Sequence, residues 1–101
     1  MAEQRVSAIF TGTTQTNTLA NIASSITAVT LFEEHAYARV RTVYNDSTSI
    51  AYMKFGSGAS STSYTVQLAA GAYYEFPQPL YAGLVSIIWV TANGAARITE
   101  W

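Results

Sequence analysis

The stretch IAYMKFG, Ile50 to Gly56, decides how the rest of the chain is read. Ala51, Met53 and Phe55 alternate with Ile50, Tyr52 and Lys54, the period of two that sends successive side chains to opposite faces of a β-strand. Lys54 marks its own set as outward, so Ala51, Met53 and Phe55 should face a core. Turn-forming residues bound the run on both sides, NDSTS at 45–49 and SGASSTS at 57–63.

Working outward, the same signature recurs. In SYTVQL (63–68) Tyr64, Val66 and Leu68 share one face and Thr65 and Gln67 the other. Gly71 follows, able to take a positive φ, and predicts a hairpin into YYEF (73–76). Pro77 and Pro79 lack amide donors and end pairing there, and Gly83 releases the chain into LVSIIWV (84–90). Asn93-Gly94 is the strongest hairpin signal in the chain and hands over to a closing strand, AARITEW (95–101). Upstream, SITAVTLF (25–32) and ARVRTVY (38–44) read as two strands joined by Glu33-Glu34-His35, with QRVSAIF (4–10) as a possible first strand. TGTTQTNTLAN (11–21) has neither period nor bulk and reads as a long loop or flexible arm.

Short strands at this spacing with almost no helical periodicity predict an all-β fold: a single antiparallel β-sandwich of Greek-key or jelly-roll type. The 101 residues are one domain by length, with residues 1–21 as an arm, or as a first strand plus loop. Tyr64 and Tyr74 are expected in the core, leaving Tyr73 and Tyr81 for outward contact.

Composition narrows the function. Charged residues are 11% of the chain, against roughly a quarter in an average domain. A net charge of −1 with dispersed arginines and one lysine offers no footprint for nucleic acid. There is no cysteine, hence no disulfide and no thiolate metal site. No window approaches the apolar length of a membrane span, and the N-terminus lacks the pattern of a secretory signal, so the expectation is a chain made in a cytoplasm. So uncharged a surface keeps small proteins apart poorly and suits life within an assembly.

Catalytic constellations are hard to build. A Ser-His-Asp relay would need the one histidine, His35, and the one aspartate, Asp46, which lie in separate turns. A zinc site would need His35 with the adjacent Glu33 and Glu34, a spacing unlike the familiar ones. Glu75 and Glu100 are carboxylates on strands that nothing in the sequence brings together. Asn45-Asp46-Ser47 matches a glycosylation acceptor but reads better as a turn. The expectation is a protein with no catalytic, cofactor-binding or metal-ligating residues.

Contact surface is the richer signal. In LVSIIWV one face is Val85, Ile87 and Trp89, but Leu84, Ile88 and Val90 load the other. Either the N-terminal segment roofs that second face or a subunit contact covers it. Arg39 and Arg41, two residues apart, are either an ordinary exposed face paired with cross-strand acids or a fork for a partner carboxylate. Tyr73, Tyr81 and Trp101 are candidate interface anchors, or else core and rim packing. Tyrosines beside Gln67, Glu75, Gln78 and Asn93 also admit a sugar-binding surface.

A string of motifs adds to this: Asn45 to Ser47, Phe55-Gly56 closing an aromatic strand, Tyr64 to Val66, Gly71, Tyr74 to Pro77, Tyr81 to Gly83, Ile88-Trp89 and Thr99-Glu100. Through these the chain, over a little more than half its length, resembles a group of small proteins encoded among the virion genes of tailed phages and prophages. Arg41 departs from the apolar residue usual at its position in that group. The resemblance implies a non-enzymatic virion component, first a capsid decoration or cement protein bound to the major capsid protein across capsomers. Such a protein is expected to self-associate, with a trimer favoured, and to be made in the host cytoplasm and carried in the virion. A receptor- or glycan-binding module of a fibre or tail is the alternative.

Overall fold

The structure, a computed structural model, describes residues 17–101, and within them the chain is all-β. The strands are β1 (Thr18–Ala23), β2 (Val29–Phe32), β3 (Arg41–Asp46), β4 (Ala51–Phe55), β5 (Val66–Leu68), β6 (Tyr73–Glu75), β7 (Val85–Trp89) and β8 (Ala95–Glu100). They form two antiparallel sheets, the first in the order β1-β8-β3-β6 and the second in the order β2-β7-β4-β5. Inward side chains of both share one core, where Val43, Ala96 and Ile98 of the first sheet join Met53, Val85, Ile87 and Trp89 of the second. The result is sandwich-like.

The period of two survives folding in β4 and β7, whereas in β2 a register shift buries both Leu31 and Phe32. In β4, Ala51 and Met53 are fully buried while Tyr52 and Lys54 are half-exposed. In β7, Val85, Ile87 and Trp89 are buried. On the other face of β7, Ser86 is also buried, because its hydroxyl donates to the Gly56 carbonyl (2.7 Å) and accepts from the Ala59 amide (3.0 Å). The β4–β5 connection therefore folds over the outside of the second sheet. Among the described residues this loop is what covers the middle of LVSIIWV; Leu84 and Ile88 are half-buried and Val90 is 59% exposed, and most of the N-terminal segment expected as a roof lies outside the described residues.

Both expected hairpins are corrected. Every connection except β4–β5 passes from one sheet to the other. Strand β7 lies between β2 and β4, so it has no free edge for β8, and the Asn93-Gly94 turn instead carries the chain across to the first sheet. There the Asn93 Oδ1 accepts from the amide and hydroxyl of Thr48 (2.8 and 3.1 Å). Gly94, at φ 71°, is so close to the Asp46 carbonyl oxygen that a β-carbon would overlap it. Likewise β5 pairs with β4 and β6 with β3, the chain crossing between sheets through a turn closed by Ala72 N to Ala69 O (3.0 Å), with Gly71 at φ 76°.

Three smaller readings also change. Strand β1 takes in Thr18 to Asn21, within the stretch expected as loop or arm; cross-strand partners on β8 supply the order that local sequence does not. Tyr64 is 42% exposed and lies against Tyr52 outside the second sheet (4.9 Å between centroids), whereas Tyr74 packs inward on Phe76. QRVSAIF falls outside the described residues.

Strand β3 carries the least expected feature. Arg41, Val43 and Asn45, two residues apart, all point inward and none is exposed to solvent. Val43 belongs to the core; the other two hold its ends. The Asn45 side-chain amide donates to the carbonyls of Ser49 (2.9 Å), Leu68 (3.1 Å) and Ala69 (3.1 Å). Its Oδ1 accepts from Ser47 Oγ (2.8 Å) and from the indole of Trp89 (3.0 Å), and its main chain pairs with Gly71 and Ala72. One residue thus ties the β3–β4 turn, the β5–β6 crossing and the central strand of the other sheet. Buried polar atoms left without partners cost about 1–3 kcal/mol each, so Asn45→Ala should destabilise the fold by about 3–4 kcal/mol in urea unfolding. Asn45→Asp should do at least as badly, since a carboxylate would face carbonyls rather than donate to them; a loss below about 1 kcal/mol for either variant would show that the cluster contributes little.

Candidate functional site

At the opposite end of β3 the Arg41 guanidinium is enclosed by loops. Nε donates to Glu100 Oε2 (2.7 Å), Nη1 to the carbonyls of Tyr81 (2.9 Å) and Gly83 (2.7 Å), and Nη2 to those of Glu33 (2.7 Å) and Ala82 (3.3 Å). The five acceptors match the five N–H groups of the side chain. The Phe32 ring lies 4.8 Å from the guanidinium carbon, and on the far side of Glu100 its Oε1 is 3.2 Å from His35 Nδ1. A buried charge is tolerated only when so fully partnered.

This corrects the paired reading of Arg39 and Arg41. Arg41 occupies the inward, apolar register of β3 and is unavailable to any partner, whereas Arg39 lies before the strand and is exposed. Tyr81 is likewise turned inward: its ring stacks on Phe55 (4.7 Å, 7° between planes) and its hydroxyl donates to the Leu84 carbonyl (3.0 Å). Gly83 makes room for it, since a β-carbon there would sit 2.6 Å from the Tyr81 hydroxyl. Trp101 is half-buried and its main chain pairs with Val40.

The acid and base candidates are dispersed. His35 meets Glu100 at the Arg41 end, while Asp46, at the other end of β3, holds Arg97 (Nε to Oδ2, 2.6 Å). Glu100 shares the inward register with Arg41, whereas Glu75 is opposite Thr42 on the outward one, so the two carboxylates lie on different faces. Among the described residues no three His, Cys, Asp or Glu side chains come together as metal ligands.

Of the large exposed side chains, Ile26 and Tyr37 stand in the β1–β2 and β2–β3 loops, and the others fall on two sheet faces. Outside the second sheet, Val90 (59% exposed) lies beside Ile50, whose carbonyl accepts the Val90 amide (3.0 Å). Ile88 and Tyr52 are register partners next to them, and Tyr64 leans on Tyr52. Between this strip and the β4–β5 loop runs a hollow of about 400 Å³ lined by Tyr52, Ser60, Ser61, Ile88, Trp89 and Val90. Outside the first sheet stand Tyr73 (62% exposed) and Tyr44. The sequence reading found Val90, Ile88 and Tyr73 but not Ile50, Tyr52, Tyr64 or Tyr44, whose roles depend on which strands are neighbours.

Because a lysine ammonium has three donors and no planar fork, Arg41→Lys should lower stability by about 3 kcal/mol or more in chemical denaturation. Arg39→Ala should stay within about 0.5 kcal/mol of the parent; equal effects would contradict the separate roles assigned to the two arginines. No protein-family model, curated protein or solved structure matches the chain.

Proposed function

We propose that this chain is a non-enzymatic virion structural protein, a capsid decoration or cement subunit that binds across capsomers of a phage head. The observation carrying this reading is the apolar strip outside the second sheet, where Ile50, Val90, Ile88, Tyr52 and Tyr64 stand together, with Lys54 the next outward residue along β4. Exposed aliphatic and aromatic side chains grouped this way are what a permanent interface buries. The adjoining hollow gives a partner's side chains somewhere to insert. The mechanism is burial: added contact area holds neighbouring capsomers against internal pressure.

The strand orders β1-β8-β3-β6 and β2-β7-β4-β5, with sequential strands β1 and β2, β8 and β7, β3 and β4, β6 and β5 in matching places, support a jelly-roll assignment. The motifs behind the resemblance fall largely on the bracing of this fold: Asn45, Gly71, Tyr81, Gly83, Trp89 and Glu100. They speak for a shared scaffold. Self-association, with a trimer preferred, would multiply the contact area on a symmetric lattice.

Purified protein mixed with phage heads assembled without it should bind and raise their heat resistance. Val90→Glu, at a position where a charge is harmless to the isolated fold, should weaken head binding at least about tenfold while leaving the melting temperature within a few degrees. Heads that neither bind the parent chain nor gain heat resistance would overturn the reading.

A further inference from the structure

The outer face of the first sheet carries a different arrangement. Asn21, Arg97, Tyr44 and Tyr73 are consecutive register partners on β1, β8, β3 and β6, so they form one row across the sheet. Arg97 is held in place, Nε donating to Asp46 Oδ2 (2.6 Å) and Nη1 to Asn21 Oδ1 (2.8 Å). Tyr73 is 62% and Tyr44 39% exposed. The aromatic side chains of Tyr52, Tyr64, Tyr74 and Tyr81 each lie against another ring. Among the described residues the rings of Tyr44 and Tyr73 lie against none, and their hydroxyls make no hydrogen bond.

We infer that this row is a carbohydrate-binding platform whose ligand is a neutral, extended glycan. Two neighbouring phenol rings offer flat apolar surface to the C–H faces of pyranose rings, and each keeps a hydroxyl at its rim for hydrogen bonding. Beside them Asn21, Arg97 and Asp46 hold amide, guanidinium and carboxylate groups in positions set before a ligand arrives, which lowers the ordering penalty of binding. A row running straight across the four strands of the sheet suits a chain of sugars better than a single one.

The charge of the face chooses among ligands. Among the described residues Arg97 is the cation in this row, set against the carboxylates of Asp46 and Glu75, the latter exposed and two residues along β6 from Tyr73. A polyanion, whether nucleic acid or an acidic polysaccharide, meets net repulsion there. A protein partner of the kind proposed for the second sheet would look for aliphatic surface, and around this row the outward neighbours are Thr42, Thr99, Ala23 and Ala95, with Leu19 at the edge. The platform is separate from the apolar strip and stands whether or not the chain decorates a head.

Electrophoresis of the full chain through gels containing a soluble neutral polysaccharide (β-glucan, mannan or galactan) or polygalacturonate tests this, followed by calorimetric titration with the hexasaccharide of whichever polymer retards it. Retardation is expected in at least one neutral gel and not in polygalacturonate. Tyr73→Ala should weaken the titrated affinity roughly fivefold to tenfold, and the Tyr44→Ala, Tyr73→Ala pair more. Tyr64→Ala, an exposed tyrosine on the other sheet, should leave it unchanged. The Tyr73 and Tyr44 variants alter exposed side chains, and an unchanged melting temperature certifies their folding. No retardation in any neutral gel, a preference for polygalacturonate, or sugar binding indifferent to Tyr73→Ala would each overturn the proposal. Head binding that survives Tyr73→Ala but fails in Val90→Glu would show the two surfaces to be independent.

Discussion

Everything in this fold hangs from the inward row of β3, Arg41, Val43 and Asn45, which places a fully partnered cation at one end of the sandwich, an apolar residue in its middle and a fully partnered amide at the other end. An antiparallel strand advances about 3.4 Å per residue, so the two polar groups stand roughly 14 Å apart with the shared core between them. Each gathers loops that local propensity would leave loose. Asn45 collects the β3–β4 turn, the β5–β6 crossing and Trp89; Arg41 collects the carbonyls of Glu33 and of Tyr81 to Gly83 together with Glu100.

The consequence is a molecule with few internal elements but well-defined surfaces. With connections repeatedly passing between sheets, each sheet is assembled from distant parts of the chain and depends on the other. Small β domains have little margin in core size, so a buried polar group left unsatisfied at either end would be costly. The outer faces are then free to differ, and they do. One is an aliphatic and aromatic strip beside a hollow; the other is an aromatic and amide row with a fixed arginine.

The same division explains which local signals succeeded. Alternation in IAYMKFG and LVSIIWV identified inward Met53, Ile87 and Trp89 correctly because pleating follows the backbone alone. Gly71 was rightly singled out for positive φ, and Gly94, marked as a turn, takes one too. The hairpins drawn from those glycines failed because a turn sets a change of direction, whereas the identity of the next neighbour depends on which edges are already occupied, as β7 is by β2 and β4. Arg41 was misread as outward for a related reason: its charge argued for water, and the five acceptors that made burial tolerable come from residues as far away as Gly83 and Glu100.

By itself, then, the sequence determined the all-β class, most of the strand segments and the inward set of each strong strand, because all of these follow from period, composition and residue type. Only the tertiary structure decided which strands are neighbours. That pairing put Tyr44 beside Tyr73 and Arg97, brought Ile50 next to Val90, turned Tyr81 and Arg41 inward and divided the candidate contacts between two faces. Register between strands far apart in sequence is set by packing and by buried hydrogen bonds such as those of Asn45, and no local window of residues contains that information.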